Sequence, residues 1–164
     1  MASDLKNLSH ISNELPDGSN YKIGIVVSEY YSEITENLLA GCLEIFSKQN
    51  VQQHNLIIEY APGTFELPIA CQRLNRWHKL DAVIALGCVV KGETDHDKYI
   101  NQSVANALQE MALKYGKPFM FGVLTPNNYQ QALDRAGGKH GNKGHEVAAA
   151  TLKMLALENK LKNK

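Results

Sequence analysis

Apolar and polar residues follow two different spacings along this chain, and the spacings predict a regular series of strands and helices. Short, nearly continuous apolar runs are typical of strands that are covered on both faces, whereas apolar residues repeated every three or four positions are typical of helices. Four runs of the first kind predict strands at residues 22–28, 55–60, 82–90 and 119–125.

A helical pattern follows each predicted strand. Ser32 is expected to cap the N-terminus of the first helix, because serine is a favoured N-cap residue. Its apolar face comprises Ile34, Leu38, Cys42, Ile45 and Phe46. The second helix is expected to begin at Thr64, with Pro68 tolerated close to its first turn. The third is the longest, and Gly116 fits its C-terminal cap. Its apolar positions are Ile100, Val104, Leu108, Met111 and Tyr115.

Two helices are predicted after the last strand. A short one covers residues 127–136 and is closed by Gly137 and Gly138. The long final helix is marked by apolar residues at Val147, Ala150, Met154, Leu157 and Leu161. The order βαβαβαβαα predicts a mostly parallel sheet with right-handed crossovers and helices on both faces.

Parallel sheets of this kind bind ligands beyond the carboxyl ends of their strands. The residues that deserve inspection are therefore those that follow Ser28, Tyr60, Val90 and Thr125.

The composition is that of one globular domain of 164 residues, in which seventeen basic residues balance seventeen acidic ones. Without a basic excess, electrostatics does not favour nucleic acid or an anionic membrane as a partner, and low net charge does not oppose self-association. No signal-peptide pattern opens the chain and no apolar run reaches the roughly 18 residues of a membrane span, so a cytoplasmic protein is expected. Residues 1–20 are interpreted as an N-terminal arm and residues 21–164 as the domain.

The three cysteines are odd in number and far apart, with no C-x-x-C pair. This spacing argues against a disulfide framework and against a zinc site, so Cys42, Cys71 and Cys88 are expected to pack as small hydrophobic side chains. His140 and His145 lie five residues apart without a third ligand, and no metal site is expected.

The segment between the most apolar strand and the longest helix suits an anion. Thr94 and Asp97 have the spacing of a capping box, so Thr94 is expected to begin the helix, while Gly92 lets a ligand approach the backbone. The free N–H groups and the positive end of the helix dipole then favour a phosphate. The alternative is a capped helix that binds nothing.

His96 is the candidate proton-transfer residue. The helix dipole disfavours its protonated form, whereas the neighbouring Asp95 and Asp97 favour it, and these opposing effects suit a group that exchanges protons near neutral pH. A structural role for this histidine is the alternative.

Two basic residues near the final helices are candidate phosphate ligands. Arg135 offers a bidentate guanidinium and Lys143 a mobile ammonium group. Arg135 fits equally well as a cation that stabilises a helix C-terminus. The glycine-rich stretch 137–144 does not match a nucleotide P-loop, because a helix precedes it instead of a strand.

Aromatic residues cluster near the strand ends. Tyr30 and Phe65 lie outside the predicted strands, where a planar heterocycle could stack on them, whereas Phe121 lies within the fourth strand. Glu66 is placed to accept hydrogen bonds from a polyhydroxyl substrate. An aromatic core and a solvated carboxylate are the alternatives.

Taken together, these residues resemble the lumazine synthase family of riboflavin biosynthesis. The resemblance runs from about Tyr21 to Leu155 and rests on four motifs in order: GIVVSEYYSEIT, APGTFELP, ALGCVVKGETDH and FGVLTPNNYQQALDRAGGKHGNKG. It implies a flavodoxin-like three-layer sandwich, with a four-stranded parallel sheet between helices. It also implies condensation of 5-amino-6-(D-ribitylamino)uracil with 3,4-dihydroxy-2-butanone 4-phosphate, without a cofactor or a metal.

The resemblance assigns roles to individual residues. Those implied to bind the ribitylaminouracil are Tyr30, Thr64, Phe65, Glu66, Cys88, Val89, Val90 and Phe121. Those implied to bind the butanone phosphate are Glu93, Thr94, Arg135 and Lys143. His96 matches the proton-transfer histidine, while Phe121 and Arg135 match residues that a neighbouring subunit contributes.

The resemblance also implies an assembly. The compact stretch between the last two helices looks like that of the members that form pentamers and icosahedral shells of sixty subunits, with riboflavin synthase as a further partner. The sequence departs from the family at Glu29-Tyr30-Tyr31, where an Arg-Phe-Asn type of run is commoner, and at Asp95 and Asp97, where neutral or aromatic residues are commoner.

Two other functions remain open from the residues alone. A flavin-binding carrier of the same fold needs a Ser-, Thr- or Gly-rich phosphate loop after the first strand, but this chain has two tyrosines and no glycine there. A non-catalytic shell protein does not require His96, Arg135 and Glu66 together.

Overall fold

The computed structural model describes residues 14–164, so most of the predicted N-terminal arm lies outside the described residues. Within them a four-stranded parallel sheet has the order β2-β1-β3-β4. Its strands are β1 (Ile23–Ser28), β2 (Leu56–Ala61), β3 (Ala82–Cys88) and β4 (Phe119–Leu124). The helices are α1 (Ser32–Lys48), α2 (Leu67–Trp77), α3 (His96–Tyr115), α4 (Tyr129–Arg135) and α5 (Lys143–Lys162).

Helices cover both faces of the sheet and give the predicted three-layer sandwich. β1 and β3 are buried throughout, as expected for central strands whose two faces are both packed. Ile25 and Val27 pack with α1 and α5 on one face, and Val26 packs with α2 and α3 on the other. The fold class read from the hydrophobic pattern is confirmed. No helix in the described part of the chain is long and apolar enough to cross a membrane.

α5 lies unusually close to α1. A Cβ at Gly144 would sit 1.9 Å from the carbonyl oxygen of Leu38, so this position has room for glycine and no larger residue. The Cys42 thiol donates a hydrogen bond to the Gly144 carbonyl over 3.2 Å, and the Asn142 side chain accepts one from the Gly144 N–H over 2.7 Å. These contacts fix the start of α5 and therefore the positions of the charged residues in its first turn.

Two predicted helix N-caps are wrong. Ser32 is the first residue of α1 and not its cap, because Tyr31 occupies the N-cap position in the left-handed region, at φ 58° and ψ 48°. The Tyr31 carbonyl accepts hydrogen bonds from the N–H groups of Ile34 and Thr35, so the turn closes through the backbone. Thr94 does not begin α3, which starts at His96 after Asp95 and has no side-chain cap.

The buried face of α5 also differs from the prediction. Val147 is buried and Ala150 half-buried, but Met154, Leu157 and Leu161 are exposed. The residues that face the core are instead Gly144, Val147, Ala148, Ala149, Thr151, Leu152 and Leu155. Small residues such as Ala148 let α5 approach α1, while the larger apolar side chains form a second face that points outward.

The glycine-rich stretch between α4 and α5 forms a short antiparallel hairpin, β5 (Ala136–Gly138) and β6 (Gly141–Asn142). Gly137 and Gly141 have positive φ angles of 103° and 82°, which favour glycine. The hydrophobic pattern did not predict this hairpin, because strands of two and three residues are too short to show a period.

Candidate active site at the carboxyl edge of the sheet

The strand order places a crevice between the carboxyl ends of β1 and β3. The chain leaves β1 toward β2 on one side and leaves β3 toward β4 on the other, so the loops after these strands diverge. A reversal of this kind is the usual ligand position in doubly wound sheets. Four of the predicted site segments lie on this edge. Tyr30 follows β1, the segment 64–66 follows β2, the segment 88–90 begins at the last residue of β3, and the 92–96 loop comes after it.

Tyr30 follows β1 and presents its ring to solvent, with 67% of the residue exposed. It makes an edge contact with Tyr31, with the ring centroids 5.1 Å apart and the planes at 89°. The Glu29 N–H donates to the Ala61 carbonyl over 2.8 Å, which extends the pairing of β1 with β2 up to this turn. The backbone beside Tyr30 is therefore held by β2, while the face of its ring is open to solvent.

The segment after β2 forms a 3-10 turn over Thr64–Glu66 before α2 begins. Thr64 is buried, and its hydroxyl lies 3.5 Å from the carbonyl oxygen of Cys88, at the outer limit of a hydrogen bond. Gly87 leaves space for this side chain, because a Cβ there would lie 2.8 Å from the Thr64 hydroxyl. Thr64 thus ties this turn to the end of β3, while Phe65 and Glu66 remain exposed.

The backbone beyond β3 is held by β4. The Val89 N–H donates to the Leu124 carbonyl and the Lys91 N–H to the Pro126 carbonyl, each over 2.9 Å. The side chain of Cys88 is buried, and burial raises the pKa of its thiol to about 12. Cys88 therefore carries a neutral thiol at physiological pH and is not an activated nucleophile.

The loop of residues 92–96 is exposed at the start of α3. A Cβ at Gly92 would meet no atom within 4 Å, so this glycine leaves the loop open to an incoming group. The Asp95 carboxylate binds the Lys98 ammonium group one turn further on, at 2.8 Å. His96 is the first residue of α3 and is exposed, beside the N–H groups that no earlier turn can engage.

Arg135 and Lys143 lie together on the α4 and α5 side of the molecule. Both bind the carboxylate of Glu146, Arg135 over 2.7 Å and Lys143 over 2.9 Å, and Arg135 also donates to the His140 carbonyl over 2.7 Å. Burial acts to raise the pKa of Glu146, but the hydrogen bonds from Lys143 and Arg135 outweigh it and hold that pKa below its usual value. Within residues 14–164, no hydrogen bond or ion pair joins either cation to the 92–96 loop.

Phe121 is half-buried in β4, on the face of the sheet that α2 and α3 cover. Phe121 packs against the core on that face, and its strand is separated from β1, which precedes Tyr30, by β3.

The surface of residues 14–164 has two open grooves, and neither His96 nor Arg135 lines them. One, of about 600 Å³, lies between α1 and the hairpin. The other, of about 440 Å³, lies beside α2 and includes Glu66.

Three residues that the sequence patterns did not single out make side-chain contacts near the candidate site residues. Glu146 pairs with Lys143 at a spacing of three residues, a signal that the helical pattern contains. Tyr129 and Glu33 are also joined by a hydrogen bond, from the tyrosine hydroxyl to the carboxylate over 2.5 Å. They lie 96 positions apart, so no local pattern reveals that contact.

The fold and this edge define a doubly wound α/β protein with an open, polar candidate site at the carboxyl ends of its strands. Comparison with known proteins narrows the class. The family model of 6,7-dimethyl-8-ribityllumazine synthase matches residues 20–159, and the chain belongs to that family.

Proteins that carry this family name are similar over almost the whole chain. The protein of Cytophaga hutchinsonii is 50% identical over 156 residues, which cover 95% of this chain and 98% of the relative. The protein of Porphyromonas gingivalis is 45% identical over 159 residues, or 96% of this chain and 99% of the relative. The protein of Levilactobacillus brevis is 44% identical over 147 residues, or 90% of this chain and 94% of the relative.

Proposed function

We propose that this chain catalyses the condensation of 5-amino-6-(D-ribitylamino)uracil with 3,4-dihydroxy-2-butanone 4-phosphate to 6,7-dimethyl-8-ribityllumazine, releasing phosphate and water. The observation that carries the proposal is the family match over residues 20–159. The grouping of Tyr30, the Thr64–Glu66 turn, the end of β3 and the 92–96 loop on one edge of the sheet supports it.

The ribitylaminouracil binds between the first three loops. Tyr30 offers an exposed aromatic face for the pyrimidine ring, and Phe65 offers a second one. Backbone groups of Cys88–Val90 read the polar edge of the uracil, because hydrogen bonds to β4 hold this segment in place. The exposed carboxylate of Glu66 accepts hydrogen bonds from the ribityl hydroxyl groups.

The butanone phosphate binds at the 92–96 loop. The N–H groups that open α3 point toward this loop, and the positive end of a 20-residue helix favours an anion there. Glu93 and Thr94 frame the phosphate through their backbone, with the Thr94 hydroxyl as an additional donor. Each charge-assisted hydrogen bond contributes about 1.5–3 kcal/mol.

His96 transfers protons during the reaction. Imine formation, loss of phosphate and ring closure each move a proton at an atom next to the bound phosphate, and the imidazole stands at the start of the same helix. Holding both substrates in place supplies roughly 7–11 kcal/mol of the barrier, and general acid–base catalysis adds about 10²–10⁴-fold.

A second copy of the chain completes the site. Arg135 and Lys143 are held by Glu146 apart from their own 92–96 loop, so they reach a phosphate on a neighbouring subunit. Phe121 contributes to the ring pocket in the same way. The outward apolar residues Met154, Leu157 and Leu161 are 44–62% exposed and favour burial against another copy. Pentamers, an icosahedral sixty-subunit shell and riboflavin synthase as a partner remain predictions from the family resemblance. The cytoplasmic location remains a prediction from the sequence.

Incubation of the purified protein with both substrates tests the proposal. The lumazine chromophore is expected to appear only when both substrates are present, at a rate proportional to the concentration of the protein. A yellow protein with one tightly bound flavin and no condensation would favour the carrier function. An assembled particle that forms no product would favour a shell protein. Either result would contradict the proposal.

A further inference from the structure

Three tyrosines form a continuous row across the carboxyl edge of the sheet. The ring of Tyr30 meets the ring of Tyr31 edge-on, and Tyr31 in turn lies against Tyr129, with centroids 5.9 Å apart and the planes at 41°. The hydroxyl of Tyr129 donates a hydrogen bond to the carboxylate of Glu33 in the first turn of α1, over 2.5 Å. The row therefore connects the candidate stacking ring to both α1 and α4.

The central member of the row has an unfavourable backbone conformation. Tyr31 lies in the left-handed region, which residues with a side chain rarely adopt. In this conformation its carbonyl closes the first turn of α1, and the Thr35 hydroxyl binds the last carbonyl of β1, that of Ser28, over 2.8 Å. Surrounding contacts must hold a conformation of this kind, and sites of function are where it is usually found.

Tyr129, at the far end of the row from Tyr30, is held both at its backbone and at its hydroxyl. Tyr129 is the first residue of α4, whose start is held by two side chains. The Gln131 N–H donates to the Asn128 carboxamide over 3.0 Å, and the Asn127 N–H donates to the Gln131 carboxamide over 2.8 Å. At the other end of its side chain, the hydrogen bond to Glu33 raises the pKa of the Tyr129 hydroxyl, so the phenol keeps its proton and remains a donor.

Tyr30 itself has little else to orient it. It is 67% exposed, and its ring contacts Tyr31. A solvent-exposed tyrosine samples several rotamers, and each one that cannot stack on a ligand lowers the affinity. A neighbouring ring that is fixed in place selects the rotamer through the edge-to-face contact.

We propose that Tyr31, Tyr129 and Glu33 are positioning residues that set the ring of Tyr30 for the pyrimidine substrate. This inference rests on the proposed function, in which Tyr30 stacks on that substrate. The Tyr129–Glu33 hydrogen bond holds Tyr129, Tyr129 supports Tyr31 in its left-handed conformation, and Tyr31 limits the rotation of Tyr30. None of the three needs to touch the reacting atoms.

Removing the hydrogen bond tests the inference. Tyr129→Phe keeps the ring and loses the hydroxyl, and Glu33→Ala removes the acceptor. In each variant the KM for the ribitylaminouracil is expected to rise about 2- to 12-fold, the change equivalent to ordering one side chain on binding. The turnover number and the KM for the butanone phosphate are expected to stay within about twofold, since Tyr30 does not contact that substrate.

Three controls separate positioning from general stability. Glu33→Gln keeps an acceptor and is expected to recover most of the affinity that Glu33→Ala loses. Tyr115→Phe removes the hydroxyl of a ring that stacks on Phe119, at the opposite end of the sheet, and is expected to leave both KM values unchanged. The double variant Tyr129→Phe/Glu33→Ala is expected to resemble either single variant, because both changes break the same bond.

A further variant distinguishes failure of this inference from failure of the proposed function. Tyr30→Ala removes the stacking ring itself and is expected to raise the pyrimidine KM more than Tyr129→Phe does. If Tyr30→Ala raises that KM and Tyr129→Phe and Glu33→Ala do not, the positioning role is refuted and the stacking role stands. If Tyr30→Ala has no effect, the stacking role fails and the inference fails with it. Equal changes in both KM values would also overturn it.

Discussion

The two groups of candidate binding residues differ in their exposure to solvent and in the partners of their polar side chains. At the carboxyl edge, Tyr30, Glu66 and His96 are exposed and their polar groups face solvent. On the α4 and α5 side, Arg135 and Lys143 are half-buried and share the carboxylate of Glu146. The first group can accept a ligand without breaking a contact, whereas the second is already oriented by a charge of its own chain.

This difference suggests that the two groups contribute to binding in different ways. A cation whose side chain is already ordered loses less conformational entropy when it binds an anion than a mobile one does. Under the proposed function, the open edge offers a binding surface and hydrogen-bond donors, and Arg135 and Lys143 offer an ordered positive charge to a neighbouring subunit. Substitutions in each group test this difference.

Arg135→Ala is expected to lower kcat/KM about 10³-fold, because removing one partner of a charge-paired hydrogen bond costs about 2–5 kcal/mol. The loss is expected mainly in the KM for the butanone phosphate. Steady-state kinetics with each substrate varied in turn measures it. Arg76→Ala changes an exposed arginine over Trp77 at the end of α2 and is the matched control. A loss confined to the pyrimidine KM would remove Arg135 from the phosphate site.

His96→Ala is expected to slow turnover about 10²-fold without abolishing it, since general acid–base catalysis is one of several contributions to the rate. Substrate affinities are expected to change little, which separates this residue from Arg135. His54→Ala alters an exposed histidine in the turn of Gln53–Asn55 and serves as the control. Full turnover in purified His96→Ala would mean that the assignment of the histidine is wrong.

Glu146→Gln tests the paired group through stability. The folded protein lowers the pKa of Glu146 below its usual value of 4.5, so the ionised carboxylate stabilises the fold above about pH 4.5, and this contribution is lost as the pH falls through the lowered value. The substitution is expected to cost about 1–3 kcal/mol at pH 7. The unfolding midpoints of wild type and variant in urea, measured at pH 7 and in acid, are expected to converge at low pH. A difference independent of pH would show that the charge does not carry the effect.

The extent to which the sequence predicted these two regions also differs. The four parallel strands, the packing of Leu38 and Phe46 on the sheet and the position of His96 beside an open loop follow from apolar period and from residue type. The apolar face of α5 was predicted wrongly, because Met154 and Leu157 are larger than the alanines that face α1. Hydrophobicity ranks the larger residues first, whereas the close approach at Gly144 selects the small ones.

Contacts between residues far apart in the sequence could not be predicted from local patterns. The Tyr129–Glu33 hydrogen bond and the left-handed conformation of Tyr31 depend on where α4 lies relative to α1. The helix start at His96 was missed by two residues, because Asp95 and not Thr94 occupies the N-cap position and no side-chain cap forms. The roles of the site residues remain predictions from the family resemblance.

Cys88→Ala is expected to have the smallest effect and addresses how the open edge reads its ligand. Burial raises the pKa of the Cys88 thiol to about 12, so the thiol stays neutral and the pH profile of turnover is expected to show no thiol ionisation. Because the backbone of this segment makes the proposed contacts, kcat/KM is expected to stay within about twofold, while stability falls by about 1 kcal/mol for the lost packing. Cys71→Ala in α2 is equally buried and lies away from the site, so it is expected to lose similar stability with no kinetic change. A tenfold loss of kcat/KM in Cys88→Ala but not in Cys71→Ala would mean that the side chain of Cys88, and not the backbone at the end of β3, determines how the uracil is held.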